Sequence, residues 1–195
     1  NRHIVIDRFM AMYDFLNNSD LEYRYVISTD IKDVVFQHNP SDWLESNMKD
    51  KKLLVSSECL KYKDEDWGNS NLYLSYPHLY EKNVNNTIYN AGTIAGEMKY
   101  IKDFFLHIFN LSLIGGDPQP DQAALNILVH TQPFADITYK ANQEEGWCCQ
   151  LGTTLDPKIK DKYAPFLLEP VPNFINDGFV NSNNKEYCRN KDIFC

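Results

Sequence analysis

Val26-Ile27-Ser28-Thr29-Asp30-Ile31-Lys32-Asp33-Val34-Val35-Phe36 is the stretch on which the reading of the fold turns. Tyr23 to Thr29 is β-branched and aromatic, which predicts a strand running straight into Asp30. Asp33 follows one tight turn later. Two carboxylates held this close repel each other unless a cation or a proton intervenes. Hard oxygen ligands at a strand end suit Mg²⁺ or Mn²⁺, and such an ion can clamp a diphosphate. The plainer alternative is that Asp30 caps a turn and Asp33 is solvated; an Asp-x-x-Asp spacing alone does not separate the two.

On the N-terminal side, Phe9, Met12, Tyr13 and Leu16 fall at helical spacing and predict a helix from about Asp7 to Leu16. Asn17-Asn18-Ser19-Asp20 ends it with turn chemistry. On the C-terminal side come two more apolar runs. Val34 to Phe36 is closed by Asn39-Pro40, and Leu53-Leu54-Val55 ends at Ser56-Ser57-Glu58. Residues 61 to 86 are polar, rich in Asn and Tyr and without a clean period, which reads as a long surface excursion. Ile88 to Gly96 looks like a strand interrupted by glycines. A helix is predicted from about Glu97 to Leu111, with Met98, Ile101, Phe105 and Ile108 inward. Gly115 to Pro120 is a loop, and Pro120 suits the first position of a helix that buries Ala124, Leu125, Leu128 and Val129. Beyond Ile137 the pattern weakens into short strands and loops. Strands alternating with helices imply an α/β class, a mixed sheet flanked by helices, with ligands at the carboxyl ends of strands.

With 195 residues, 43% of them hydrophobic, the chain fits a single domain over 1–195 that buries a substantial core. The net charge of −8 argues against a nucleic-acid binder built on a basic patch. It also means that a phosphate-bearing substrate needs a bound cation to offset local carboxylates. The five cysteines are Cys59, Cys148, Cys149, Cys188 and Cys195. An odd count, a vicinal pair and no CxxC spacing point to a reducing compartment and a cytoplasmic protein. N-x-S/T triplets at Asn17, Asn85 and Asn110 carry little weight in a chain this rich in Asn. No apolar run approaches the ~20 residues of a membrane span. The start, Asn1-Arg2-His3-Ile4, is not a signal peptide, and the chain reads as part of a longer protein.

Four segments carry a resemblance. The strand followed by Asp30-Ile31-Lys32-Asp33 resembles the acidic metal motif of GT-A glycosyltransferases, whose fold is Rossmann-like. Tyr89-Asn90-Ala91-Gly92 resembles the donor-sugar loop of the family that includes glycogenin and bacterial galactosyltransferases. Asp121-Gln122-Ala123-Ala124-Leu125-Asn126 is similar to that family's Asp-Gln-x-x-Leu-Asn segment. Arg8 matches the position of its donor-contacting arginine. No single match is specific, but the four come in the family's order across roughly residues 2 to 130. The whole chain is also similar to a glycosyltransferase domain encoded by chlorella viruses, which would act in the host cytoplasm.

The resemblance implies an enzyme that moves a sugar from a nucleotide diphosphate, UDP above all, to a glycan or protein-linked glycan acceptor. Asp30 and Asp33 would hold Mn²⁺ or Mg²⁺. Arg8 would contact the donor, and Asn90 with the backbone of Ala91 and Gly92 would meet sugar hydroxyls. Asp121 and Gln122 would lie beside the donor sugar. Asp121 is the first candidate for a base that deprotonates the acceptor, and Glu58, at a strand end, is the second.

Each residue has an ordinary reading too. Asp121 could be a first-turn acid favoured by the helix dipole, and Gln122 and Asn126 could be solvated one turn apart. Gly92 and Gly96 could mark a strand bulge, and Arg8 could pair with a surface acid. Trp147-Cys148-Cys149-Gln150 reads as a buried strand pair. The sequence also departs from the family pattern. The acidic motif is one residue longer than Asp-x-Asp, no strand is evident before Asp7, and no histidine follows His130; the stretch Tyr187 to Asp192 offers only Asp192 as an oxygen ligand, so donor and water would complete the metal shell. A sugar- or nucleotide-binding module without turnover is the alternative from another class, and a metal-dependent phosphohydrolase is a third.

Overall fold

The computed structural model describes residues 3–31, 34, 36, 38–142 and 145–148. Asp33, Cys149, Gln150, Cys188, Asp192 and Cys195 lie outside the described residues. In chain order the elements are α1 (Ile4–Asn17), β1 (Tyr25–Thr29), α2 (Pro40–Asn47), β2 (Leu53–Lys61), α3 (Asp66–Ser75), α4 (Tyr80–Asn83), β3 (Thr87–Glu97), α5 (Met98–Ser112), α6 (Asp121–Val129), α7 (Phe134–Ile137) and β4 (Thr138–Ala141). Two short 3₁₀ turns, Tyr62–Asp64 and Pro77–Leu79, flank α3.

The four strands form one mixed sheet in the order β1-β3-β2-β4. β3 runs antiparallel to both β1 and β2, while β4 lies parallel to β2. Helices cover both faces, and the alternation of side chains along the strands explains why. Leu53, Val55 and Ile94 point into a large core shared with Ile6, Phe9, Ile101, Phe105 and Ala124 of α1, α5 and α6. Leu54 and Ala95 point the other way, onto Leu44 and Met48 at the end of α2.

The helices predicted before Asn17, after Gly96 and after Pro120, and the strands predicted around Tyr23–Thr29, Leu53–Val55 and Ile88–Gly96, are present with shifted ends, whereas Trp147 and Cys148, read as part of a buried strand pair, lie in no strand and are only partly buried. α1 starts earlier than predicted because the His3 side chain accepts from the Val5 amide and caps it. α5 buries Ile101, Phe104, Phe105 and Ile108 along one face, while Met98 is only partly covered. Pro120 is the residue before α6 rather than its first residue. Of the run Val34 to Phe36, Phe36 forms an isolated bridge and no extended strand.

Two differences are larger. β2 does not stop at Ser56-Ser57-Glu58 but continues to Lys61, across breaks in its register with β3. At the second break Cys59 adopts φ 58°, and the Ser57 hydroxyl accepts its amide hydrogen at 2.9 Å. A left-handed non-glycine residue is uncommon and strained, and it re-aims its neighbours. The excursion at 61–86 is mostly helical. α3 is capped by Glu65, whose carboxylate accepts from the amides of Trp67 and Gly68. Its buried face is Gly68, Asn71, Leu72 and Ser75, so the helix period is present but written largely in polar and small residues.

Among the described residues no helix is long and apolar enough to cross a membrane.

Candidate functional site

The carboxyl ends of β1 and β2 lie on the same side of the sheet, beside the opening half of β3. Register brings Thr29 opposite Thr93 and Ser56 opposite Asn90. Asp30, leaving β1, therefore lands beside Gly92, whose carbonyl accepts the Asp30 amide hydrogen at 2.9 Å. A Cβ at position 92 would overlap the Asp30 carboxylate and come within 2.7 Å of Asn90 Oδ1. Glycine is needed here for close approach.

Arg8, from α1, ties the site together. Its Nη1 donates to Asp30 Oδ1 at 2.8 Å, and Nη2 donates to Asp121 Oδ2 at 2.9 Å and to the Ala91 carbonyl at 3.2 Å. Arg8 is thus not idle at the surface with a neighbouring acid: its side chain is 30% exposed and bridges two carboxylates of unequal exposure, 50% for Asp30 and 9% for Asp121. Burial raises the Asp121 pKa above the usual aspartate value; the Arg8 charge and the first amides of α6 oppose that rise without cancelling it.

α6 is stitched to β3 by amide side chains. Asn126 is buried, takes the Tyr89 amide hydrogen on Oδ1 and donates Nδ2 to the Tyr89 carbonyl, both at 2.8 Å. Gln122 Oε1 accepts from the Ala91 amide at 3.3 Å. Neither amide is solvated, contrary to the plainer reading of their spacing. The backbone groups of Ala91 and Gly92 consequently all have partners within the protein: Gln122 and Arg8 for Ala91, Asn90 and Asp30 for Gly92.

Glu58 enters from β2. It is 2% exposed, and its Oε1 accepts from Asn90 Nδ2 at 2.9 Å. Burial raises its pKa, hydrogen bonds from Asn90 and Gln122 oppose the rise, and the Glu65 charge adds to it. Behind Glu58 sits Tyr62, wholly buried, with a hydroxyl that has no hydrogen-bond partner among the described residues. Burial pushes its phenol well above the ordinary tyrosine value, and the charges of Glu58, Glu65 and Asp121 add to the shift. Tyr62 carries no sequence signal, since the stretch around it has no period. A concavity of about 520 Å³, lined by Ser57, Cys59, Lys61, Thr87, Asn142 and Glu145, opens beside Glu58's chain neighbours and contains none of the candidate residues.

The described residues contain no group of three or more His, Cys, Asp or Glu able to cage a metal. Asp30 is nevertheless half exposed and offers a hard carboxylate oxygen beside Gly92. That donor chemistry fits an ion of the Mg²⁺ kind, which takes one or two carboxylates and completes its shell with water and substrate phosphates. Arg8 supplies one positive charge against the two carboxylates it touches, so an incoming diphosphate would still meet net negative charge without a dication.

No family model matches the chain, and no curated protein or solved structure matches it significantly. The chemistry of the site rests on its own geometry.

Proposed function

We propose that the chain is a metal-assisted glycosyltransferase of the GT-A type, moving a sugar from a nucleoside diphosphate, UDP in the first instance, to a hydroxyl of a glycan acceptor. The supporting observation is the Arg8 bridge. Asp30 and Asp121 lie 22 and 113 positions from Arg8 in the chain, and one guanidinium holds both, with Ala91 between them. Three separate segments meeting in this way make a convergent polar site at a sheet end, where α/β proteins hold ligands.

In this reading Asp30, together with Asp33, would hold the dication, which supplies electrostatic stabilisation of the leaving diphosphate. Arg8 presents a planar fork suited to phosphate oxygens. An anionic donor competes with Asp121 for that fork, so donor binding frees the Asp121 carboxylate. A carboxylate whose pKa is raised by burial is the better base for an acceptor hydroxyl. Asn90 offers its remaining amide hydrogen to a sugar hydroxyl, and Gln122 lies next to Asp121 on α6.

The test is a screen of nucleotide sugars with Mn²⁺, reading release of nucleoside diphosphate. One UDP-sugar is expected to be consumed, and Asp30→Ala and Asp121→Ala each to lower the rate by about 100-fold or more. Release of sugar phosphate instead would identify a phosphohydrolase. The near closure of Asp121 under Arg8 favours a second reading, a sugar- or nucleotide-binding module. Metal-dependent binding of the nucleotide with no sugar consumed would select it.

A further inference from the structure

We propose that Glu58 is a positioning residue: its carboxylate fixes which way the Asn90 carboxamide faces and, through it, where Gly92 and the Asp30 carboxylate sit. The ends of a carboxamide are nearly equal in size, and only its partners decide its orientation. Here both partners are unambiguous. The Gly92 amide can only donate, so it requires Asn90 Oδ1, which it meets at 2.6 Å. As a carboxylate Glu58 can only accept, so it requires Asn90 Nδ2, which its Oε1 meets at 2.9 Å. Turning the amide over would set donor against donor and acceptor against acceptor.

The consequence runs onward through the backbone. Gly92 held by Asn90 presents its carbonyl to the Asp30 amide at 2.9 Å, and the missing Cβ leaves room for the Asp30 carboxylate, which reaches Arg8 at 2.8 Å. Glu58 itself is directed inward by the break in β2, where Cys59 takes φ 58°. At 2% exposure, and bonded to Asn90, Glu58 acts on a ligand through Asn90 and not by taking its proton. Asn90 is then left with one amide hydrogen and one oxygen lone pair in a fixed direction, which is the pattern that recognises a hydroxyl group. The groups facing Glu58 are Asn90 from β3, Gln122 from α6, Tyr62, and Glu65 ahead of α3.

The identity of the ligand as a sugar rests on the proposed function, whereas the positioning is a property of the unliganded chain and is measured there. In ¹⁵N-labelled protein, Glu58→Ala is expected to shift both the Asn90 side-chain amide pair and the Gly92 amide. Glu58→Gln keeps an oxygen for Asn90 Nδ2 and is expected to leave both near their wild-type positions. Asn90→Asp sets a carboxylate against Glu58 and is expected to displace the Gly92 amide; adding Glu58→Gln restores a donor facing an acceptor with the polarity reversed, and so restores the Gly92 signal. That pair carries the test if Glu58→Ala fails to fold. In turnover of the nucleotide sugar, Glu58→Ala is expected to raise KM by about tenfold with kcat less affected, and Glu58→Gln to stay within about threefold of wild type, where loss of a general base costs about 10²–10⁴ in rate for either variant. Unchanged Asn90 and Gly92 signals in Glu58→Ala, no rescue of Asn90→Asp, or a kcat lost equally in both Glu58 variants overturns the proposal. Shifted signals in a chain that turns over no nucleotide sugar would leave the positioning intact and sink the proposed function alone.

Discussion

Arg8 holds three oxygens from three parts of the chain, and the two carboxylates among them differ in exposure. Asp30 is half exposed; Asp121 is nearly buried, and that burial raises its pKa above the ordinary aspartate value. Burial raises the Glu58 pKa in the same way. A carboxyl whose folded pKa is raised contributes stability that is present in full below its ordinary value, 4.5 for glutamate, and is lost as pH rises through the raised folded value. Glu58→Gln removes that loss. Thermal unfolding followed across pH is expected to show the melting temperature of the variant gaining on wild type as pH climbs from 4.5 through this window, then running parallel to it. A gap that instead widens as pH falls would mean that Glu58 is stabilised as the anion. His130 has the opposite sign: burial, aided by the Lys140 charge, lowers its pKa from 6.5 to about 4, so its contribution is lost as pH falls through that range. At this scale the sequence was partly legible. The acids, amides and arginine were readable as residue types at strand and helix ends. The guanidinium bridge and the amide clamp on β3 were not, because both depend on partners more than twenty positions away.

Among the elements, α6 does more than present Asp121. Its Asn126 closes both polar groups of Tyr89, which lies within β3 at the point where the register with β2 is broken. Removing that amide orphans a buried N–H and a buried C=O, at about 1–3 kcal/mol each. Asn126→Ala should therefore lower the urea midpoint more than Gln122→Ala, which gives up a long bond of 3.3 Å from Ala91 and its hydrogen bond to Glu58. Equal midpoints for the two variants would show that the clamp does not hold β3. The hydrophobic period exposed α1, α5 and α6 and the cores of β1, β2 and β3, because their buried faces are apolar. It missed α3, whose buried face includes Gly68, Asn71 and Ser75, and it ended β2 too early, because Ser56, Ser57 and Glu58 are polar yet buried. In both places polar residues are buried near the site, which is where pattern and function pull apart.

For the whole molecule the governing quantity is charge. On the proposed function, a chain of net charge −8 whose candidate site sets one arginine against two carboxylates would need a dication to accept a diphosphate. Metal and nucleotide should therefore bind together and weakly apart. A ligand that binds only the folded state at a hundredfold excess over its dissociation constant adds about 2.7 kcal/mol of stability. The most direct measurement is the melting temperature with Mn²⁺ alone, UDP alone and both, in wild type and in Asp30→Ala. A rise only with both present, abolished in Asp30→Ala, is the predicted result. No rise with any nucleoside diphosphate and metal, or an equal rise in Asp30→Ala, would contradict the account.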